Sequence, residues 1–100
     1  MKYYTLEGTF VEGHPTGPAL KAAIDAHHEY LKTYLDSGAI LVSGPKAGGN
    51  GGIIIIKCDD NSDIHQFCKK DPFVKAGIQE YRITEFKKHD CQGIIQDWFE

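Results

Sequence analysis

The residues of this chain best able to carry chemistry are five histidines and three cysteines, and one histidine stands apart by its position. His27 lies in the run Ala26-His27-His28-Glu29-Tyr30-Leu31. On a helical wheel, Leu20, Ala23, Ile24, Leu31, Tyr34 and Leu35 form one stripe, with His27 near its centre and His28 on its flank. A core-facing helix ordinarily carries Leu or Ile at such a position. An imidazole there can act as a general base near neutral pH. The structural alternative is a core histidine hydrogen-bonded to a backbone carbonyl.

Asp71 is the second candidate. A carboxylate beside a histidine fixes its tautomer and stabilises the imidazolium. The Asp71-Pro72 pair also suits a helix N-cap followed by proline at the first helical position. The two roles are compatible, because a cap engages one carboxylate oxygen.

Other constellations carry less. Gly44 to Gly52 contains five glycines but lacks the phosphate-cradling spacings and is not followed by a helix. It reads as a flexible hairpin connection, or as a mobile loop beside a pocket. No metal site is expected: there is no HxxxH, and the adjacent His27 and His28 point to different sides of a helix. Asp59, Asp60 and Asp63 read as a helix-start cluster. Cys68 falls on an apolar helix face and Cys58 ends a strand, so packing accounts for both.

The elements that must position these residues follow from periodicity. Lys2 to Val11 reads as a strand, with Tyr3, Thr5, Glu7 and Thr9 on one face and the more apolar Tyr4, Leu6, Gly8 and Phe10 on the other. A first helix spans about Pro18 to Ser37, with Gly38 suited to its left-handed C-terminal residue. Ala39 to Ser43 is a short strand, and Ile53 to Lys57 is a strand apolar on both faces. A second helix carries Ile64, Phe67 and Cys68 at i, i+3 and i+4, with Asp63 and Gln66 suited to a capping box. Pro72 stops it. Asp71 to Gly77 reads as one capped helical turn, and Gln79 to Lys88 as a last strand. His89 to Glu100 is a tail whose Ile94, Ile95, Trp98 and Phe99 are too apolar for a free end.

The order β-α-β-β-α-β is the α+β, ferredoxin-like arrangement: a four-stranded antiparallel sheet with two helices on one face. One hundred residues make one domain, here residues 1–88 with a tail over 89–100. The second sheet face needs a cover, so a homodimer with sheets packed face to face is expected. The tail then packs on the domain or its dimer partner, crossing to that partner or closing a pocket. A net charge of −3 with no basic run argues against nucleic acid or an anionic membrane as partner. The odd cysteine count without CxxC, the absence of a signal-like start, and a longest apolar run of Ile53 to Ile56 fit a cytoplasmic chain.

Three motifs, in order and spacing, resemble the YciI-like (YCII-related) proteins of the dimeric α-β barrel superfamily. They are His27-His28-Glu29-Tyr30-Leu31, then Gly38-Ala39-Ile40-Leu41-Val42-Ser43-Gly44-Pro45, then Asp71-Pro72-Phe73-Val74-Lys75-Ala76-Gly77. The closing strand through Phe86 completes a match over roughly residues 1 to 88. The resemblance implies a ferredoxin-like protomer, a dimer, and a His-Asp pair as the active site. The family register, an aromatic or basic residue three positions after the histidine and a leucine-like one four after, selects His27 with Tyr30 and Leu31. The aspartate of the DPF-type motif is Asp71. Departures are Asp25 and Ala26 where Arg or Lys often precedes the histidine, and the longer tail after Lys88.

The resemblance implies small-molecule enzymes of lyase or isomerase type, some relatives removing chloride from chlorinated aromatics. The expectation is a cofactor-free enzyme in which His27 transfers a proton and Asp71 orients it. Its pocket is expected to be lined by Tyr4, Phe10, Tyr30 and Phe73, with Trp98 a further candidate and Ser43 and Gly44 at the mouth. The alternative is a dimer that binds a small metabolite without transforming it.

Overall fold

The computed structural model describes residues 1–100. Strand β1 (Lys2–Phe10) leads to helix α1 (Gly17–Asp36), then to strands β2 (Ile40–Pro45) and β3 (Gly51–Cys58). Helix α2 (Asn61–Lys70), the single turn α3 (Pro72–Lys75) and strand β4 (Gln79–Phe86) follow, and a 3-10 helix over Gly93–Phe99 ends the chain. The four strands form one antiparallel sheet in the order β2-β3-β1-β4. This is the expected α+β split βαβ.

Strand alternation divides the sheet into two faces. The inner face carries Tyr4, Leu6, Ile54 and Ile56, all buried, against Ile64, Phe67 and Cys68 of α2 and partly buried Tyr30, Leu31 and Tyr34 of α1. Full burial of each Leu, Ile or Phe contributes about 1.5–3 kcal/mol, so this cluster anchors both long helices. A smaller cluster of Ala23, Phe73 and Ile78, with Phe10, Leu20 and Ile24 packed on it, seats α3 between α1 and β4. Of the α1 stripe, Ala23 and His27 are buried, whereas Leu35 is half exposed. Gly38 ends the helix at φ 88°, as its position suggests, with the Ala39 N–H donating to the Tyr34 carbonyl.

Two local expectations change. Helix α2 starts at Asn61, capped by the Asp60 carboxylate accepting from the Asp63 N–H at 3.1 Å, so Asp60 and not Asp63 holds its first turn. The glycine-rich run is strand at both ends: Ser43 pairs with Ile54, Gly44 with Ile53 and Pro45 with Gly52, leaving Lys46 to Asn50 as the turn. The glycines are needed for close approach rather than looseness. A Cβ on Gly51 would lie 1.9 Å from the Gly8 carbonyl oxygen, and one on Gly52 3.0 Å from that of Gly44.

The tail folds over the outer sheet face of its own chain. The Trp98 indole packs against Tyr3 at a tilt and donates to the Gly38 carbonyl, while Lys57 Nζ sits 4.9 Å from the indole centroid and donates to the Trp98 carbonyl. The Tyr3 hydroxyl donates to the Phe99 carbonyl. Tyr3, Lys57 and Phe86 form one row across the outer face, which explains why the apolar tail needs no free end. No helix is long and apolar enough to cross a membrane.

Candidate functional site: a buried histidine–aspartate pair at a cavity

His27 and Asp71 meet. The Nδ1 of His27 lies 2.8 Å from Asp71 Oδ1, with the carboxylate fully buried and the histidine nearly so. Periodicity puts His27 on the inward stripe of α1. Pro72 ends α2 and turns the chain so that Asp71, in extended conformation, caps α3. Its Oδ1 accepts the Phe73 N–H at 2.9 Å as well as the His27 ring, and its Oδ2 accepts the Tyr81 hydroxyl at 2.5 Å. The cap and the histidine partner are thus one residue, and even one oxygen.

A carboxylate held by three donors accepts only, so His27 Nδ1 carries the proton and Nε2 is the free nitrogen. Nε2 makes no hydrogen bond in the chain, and no fully buried side-chain nitrogen or oxygen lacks a partner. It therefore opens to the adjoining cavity, which His27 lines. The ring is clamped by Phe73, stacked on it at 4.0 Å between centroids and 10° between planes. Pairing, stacking and burial together fix which nitrogen faces the cavity and in which direction.

The cavity has a volume of about 390 Å³, within the range of small-molecule sites. It sits between α1 and the inner sheet face where β1 and β3 carry Gly8 and Gly52 instead of side chains. Its walls are Phe10, Ile24, Leu31, Ile54 and Phe73; Ser43, Gly44 and Pro45 line the β2 side. His28, exposed on the next helix position, reaches its rim. No Lys or Arg lines it. The cysteines do not line it either, and burial pushes the Cys58 thiol up to about 11 and the Cys68 thiol to about 12. No group of three or more His, Cys, Asp or Glu is placed to hold a metal ion.

Of the expected lining residues, Phe10, Ser43, Gly44 and Phe73 border the cavity together with His27. Asp71 stands behind His27, touching the ring and not the cavity. Tyr4, Tyr30 and Trp98 do not line it. Tyr4 lies in the main core with its hydroxyl donating to Asn61 Oδ1 at 2.6 Å, and the Tyr30 hydroxyl donates to the Phe67 carbonyl at 2.7 Å. Trp98 is on the other face of the sheet.

Two polar residues of β4 belong to the site although their motifs did not announce them. Tyr81 supplies the third donor to Asp71. Burial first, then the Asp71 charge and the bond to it, push its phenol far above the ordinary range, so it stays a donor. Gln79, buried, also lines the cavity. The available signal was their place on the inner face of β4, alternating with Ile83, where a polar residue is as anomalous as His27 on its stripe.

The comparisons with known proteins agree with this architecture. A solved structure of 5-chloro-2-hydroxyhydroquinone dehydrochlorinase (TftG) from Burkholderia phenoliruptrix AC1100, in complex with 2,5-dihydroxybenzoquinone, superposes with a TM-score of 0.65. It is 22% identical, and the match covers 85% of this chain and 93% of that one. The hypothetical protein PHS023 from Pyrococcus horikoshii matches with a TM-score of 0.51 and 14% identity, over 89% of this chain and 94% of that one. No curated protein matches the sequence. Both likenesses are to the fold: one antiparallel four-stranded sheet with its helices on one face. The model of the YCII-related domain matches residues 2–87, and with nearly the whole chain inside that match, the protein belongs to the YCII-related domain family.

Proposed function

We propose that this protein is a small-molecule enzyme of lyase or isomerase type, in which His27 moves a proton to and from a substrate bound in the cavity. The observation that supports it is the arrangement of His27 itself: Nδ1 tied to a buried carboxylate, the ring clamped by Phe73, and Nε2 left open to an apolar cavity. A neutral imidazole so held accepts a proton at Nε2. Asp71 then faces the imidazolium across 2.8 Å and stabilises it. Asp71 is a positioning residue, since it contacts the histidine and not the cavity.

The chemistry that fits is one-base chemistry. No cysteine lines the cavity, and Ser43 at its side bonds to no base, so a covalent nucleophile has no support. Elimination needs one base: Nε2 takes the proton, the C–H or O–H electron pair forms the new π bond, and a leaving group such as chloride departs with its own pair. Isomerisation needs the same base to return the proton at a second carbon. The likeness to a dehydrochlorinase is consistent with the first. In the alternative reading the cavity binds a metabolite without changing it, and its apolar walls would suffice for that.

Chloride release from 5-chloro-2-hydroxyhydroquinone by the wild type and by His27→Ala separates the two. General acid/base help is worth about 10²–10⁴ in rate, and the variant should lose that much. Wild-type turnover in His27→Ala would reject the role.

We also propose a homodimer built on the outer sheet face. The tail covers one end of that face, while Val42 (53% exposed) and Ile53 (41% exposed) remain bare and the neighbouring Ile55 is partly buried. A second copy is the occupant that buries this apolar row. Light scattering that finds a stable monomer at micromolar concentration would overturn it.

A further inference from the structure

Besides His27, Gln79 is a buried side chain of the cavity whose hydrogen-bonding capacity is left open. It is 4% exposed, at the first position of β4. Its neighbour on β1 within the inner face is Gly8, two residues from its direct partner Phe10. The carboxamide lies over Gly8: a Cβ there would fall 2.4 Å from Gln79 Cδ and 2.6 Å from Oε1. Gly8 has no positive φ and so no conformational need for glycine. What it supplies is space, and Gln79 fills that space.

The carboxamide makes no hydrogen bond in the chain; it lies on the same sheet face as Tyr81, whose hydroxyl donates to Asp71. Since no fully enclosed side-chain nitrogen or oxygen lacks a partner, the carboxamide opens to the cavity beside His27. A polar group in that setting costs stability until something bonds to it. No Lys or Arg lines the cavity to meet an anionic ligand, and the charge of a His27 imidazolium is already faced by Asp71. Lys46, on the nearby turn, is already engaged by Glu7 at 2.8 Å and by Thr9 Oγ1 at 2.9 Å. The remaining walls are aromatic and aliphatic.

We infer that Gln79 is the specificity-determining residue of the cavity: its carboxamide hydrogen-bonds a hydroxyl or carbonyl oxygen of an uncharged ring compound, with Gly8 as the notch that lets it lie there. This rests on the cavity being the ligand site, as in the proposed function, but not on His27 being catalytic. Burial makes the discrimination strong, because a ligand without that oxygen leaves the carboxamide unpaired.

The test is binding, not turnover. Hydroquinone, toluene and benzoate are titrated into the full-length protein and followed by NMR. In the wild type, the Gln79 side-chain amide resonances should shift with hydroquinone and not with toluene, and benzoate should bind most weakly. Gln79→Leu should weaken hydroquinone about tenfold, the loss of one buried hydrogen bond, while toluene stays within about twofold. Gly8→Ala should reproduce the hydroquinone loss by displacing the carboxamide, and should add nothing on top of Gln79→Leu. An unchanged hydroquinone affinity in both variants would overturn the assignment. So would parallel weakening of hydroquinone and toluene, no hydroquinone binding to the wild type, or benzoate as the best ligand. Should Gln79→Leu fail to fold, Gly8→Ala and the wild-type amide shifts decide alone. Loss of turnover in His27→Ala with hydroquinone selectivity independent of Gln79 would sink this inference and spare the enzyme. The reverse outcome would do the opposite.

Discussion

The helix layer meets the sheet at two ends, and each end has a hollow. At the far end from His27 a cleft of about 490 Å³ is bordered by Tyr34, Ile56, Cys58, Asp63, Phe67 and Lys70. It is larger than the cavity at His27, which is about 390 Å³. What differs is the state of the polar groups. At the far end the nearby Tyr4 and Tyr30 hydroxyls each donate to a fixed partner inside the protein, Asn61 and the Phe67 carbonyl. Those bonds hold elements together and leave nothing over. At the near end His27 and Gln79 are each bonded or braced on one side and open on the other. Volume does not distinguish a site from a packing gap here; unused hydrogen-bonding capacity on rigidly held groups does.

Substitutions at the two ends should sharpen that contrast. The largest effect on stability is expected from Asp71→Ala. It strips partners from His27, Tyr81 and the Phe73 N–H in a site with no solvent access, at a cost of about 3–5 kcal/mol in urea unfolding. Asn61→Ala, which removes one neutral partner from Tyr4, should cost about 1–2 kcal/mol and leave ligand binding at the His27 cavity unchanged. Equal losses would mean the Asp71 cluster is no more demanding than an ordinary core hydrogen bond.

The tail is a third region, and removing it should separate stability from function. Deleting residues 89–100 uncovers Tyr3, Lys57 and Phe86 but touches no wall of the cavity. A loss of about 1–3 kcal/mol, the scale of one or two buried aromatics, is expected. Ligand affinity at the His27 cavity should persist; its loss would place the tail in the site after all.

A smaller effect should appear at alkaline pH. Cys58, Cys68, Tyr30 and Tyr81 all have folded-state values above their ordinary ones, burial being the leading cause in each. Groups raised on folding contribute stability that is complete below their unfolded values and lost as pH rises. Stability should therefore be level up to about pH 8 and decline above about pH 9, first as unfolded thiols ionise and then as unfolded phenols do. A curve still flat at pH 11 would contradict the burial of these groups.

The parts of the site that were legible in the sequence are those where one anomaly sits inside a strong pattern. His27 interrupts an apolar stripe of period 3.6, and Asp71 precedes a proline that must end one helix and start another. Tyr4 shows the limit of the same reasoning. Alternation places it correctly on the inner face with Gly8 and Phe10, but says nothing of position along the strand. At about 3.3 Å per residue it lies some 13 Å from Gly8, in the main core. Tyr30 is one turn from His27 and turns toward Phe67 instead. The glycine run read as a loop because composition carries no register; only pairing with β1 and β2 shows that Gly51 and Gly52 are strand residues pressed against neighbouring carbonyls. Gln79 and Tyr81 obey the rule that singled out His27, a polar residue on a buried face, yet in a strand of eight residues with mixed chemistry the pattern they break is weak.

The central claim is that the buried pair, and not an isolated histidine, makes the site work. Asp71→Asn tests it most directly, since asparagine keeps the shape and an acceptor oxygen but removes the charge facing the imidazolium. With 5-chloro-2-hydroxyhydroquinone as substrate and folding verified by NMR, turnover should fall about 10²–10⁴-fold while the cavity still binds hydroquinone. Turnover equal to wild type in a folded Asp71→Asn protein would contradict the account.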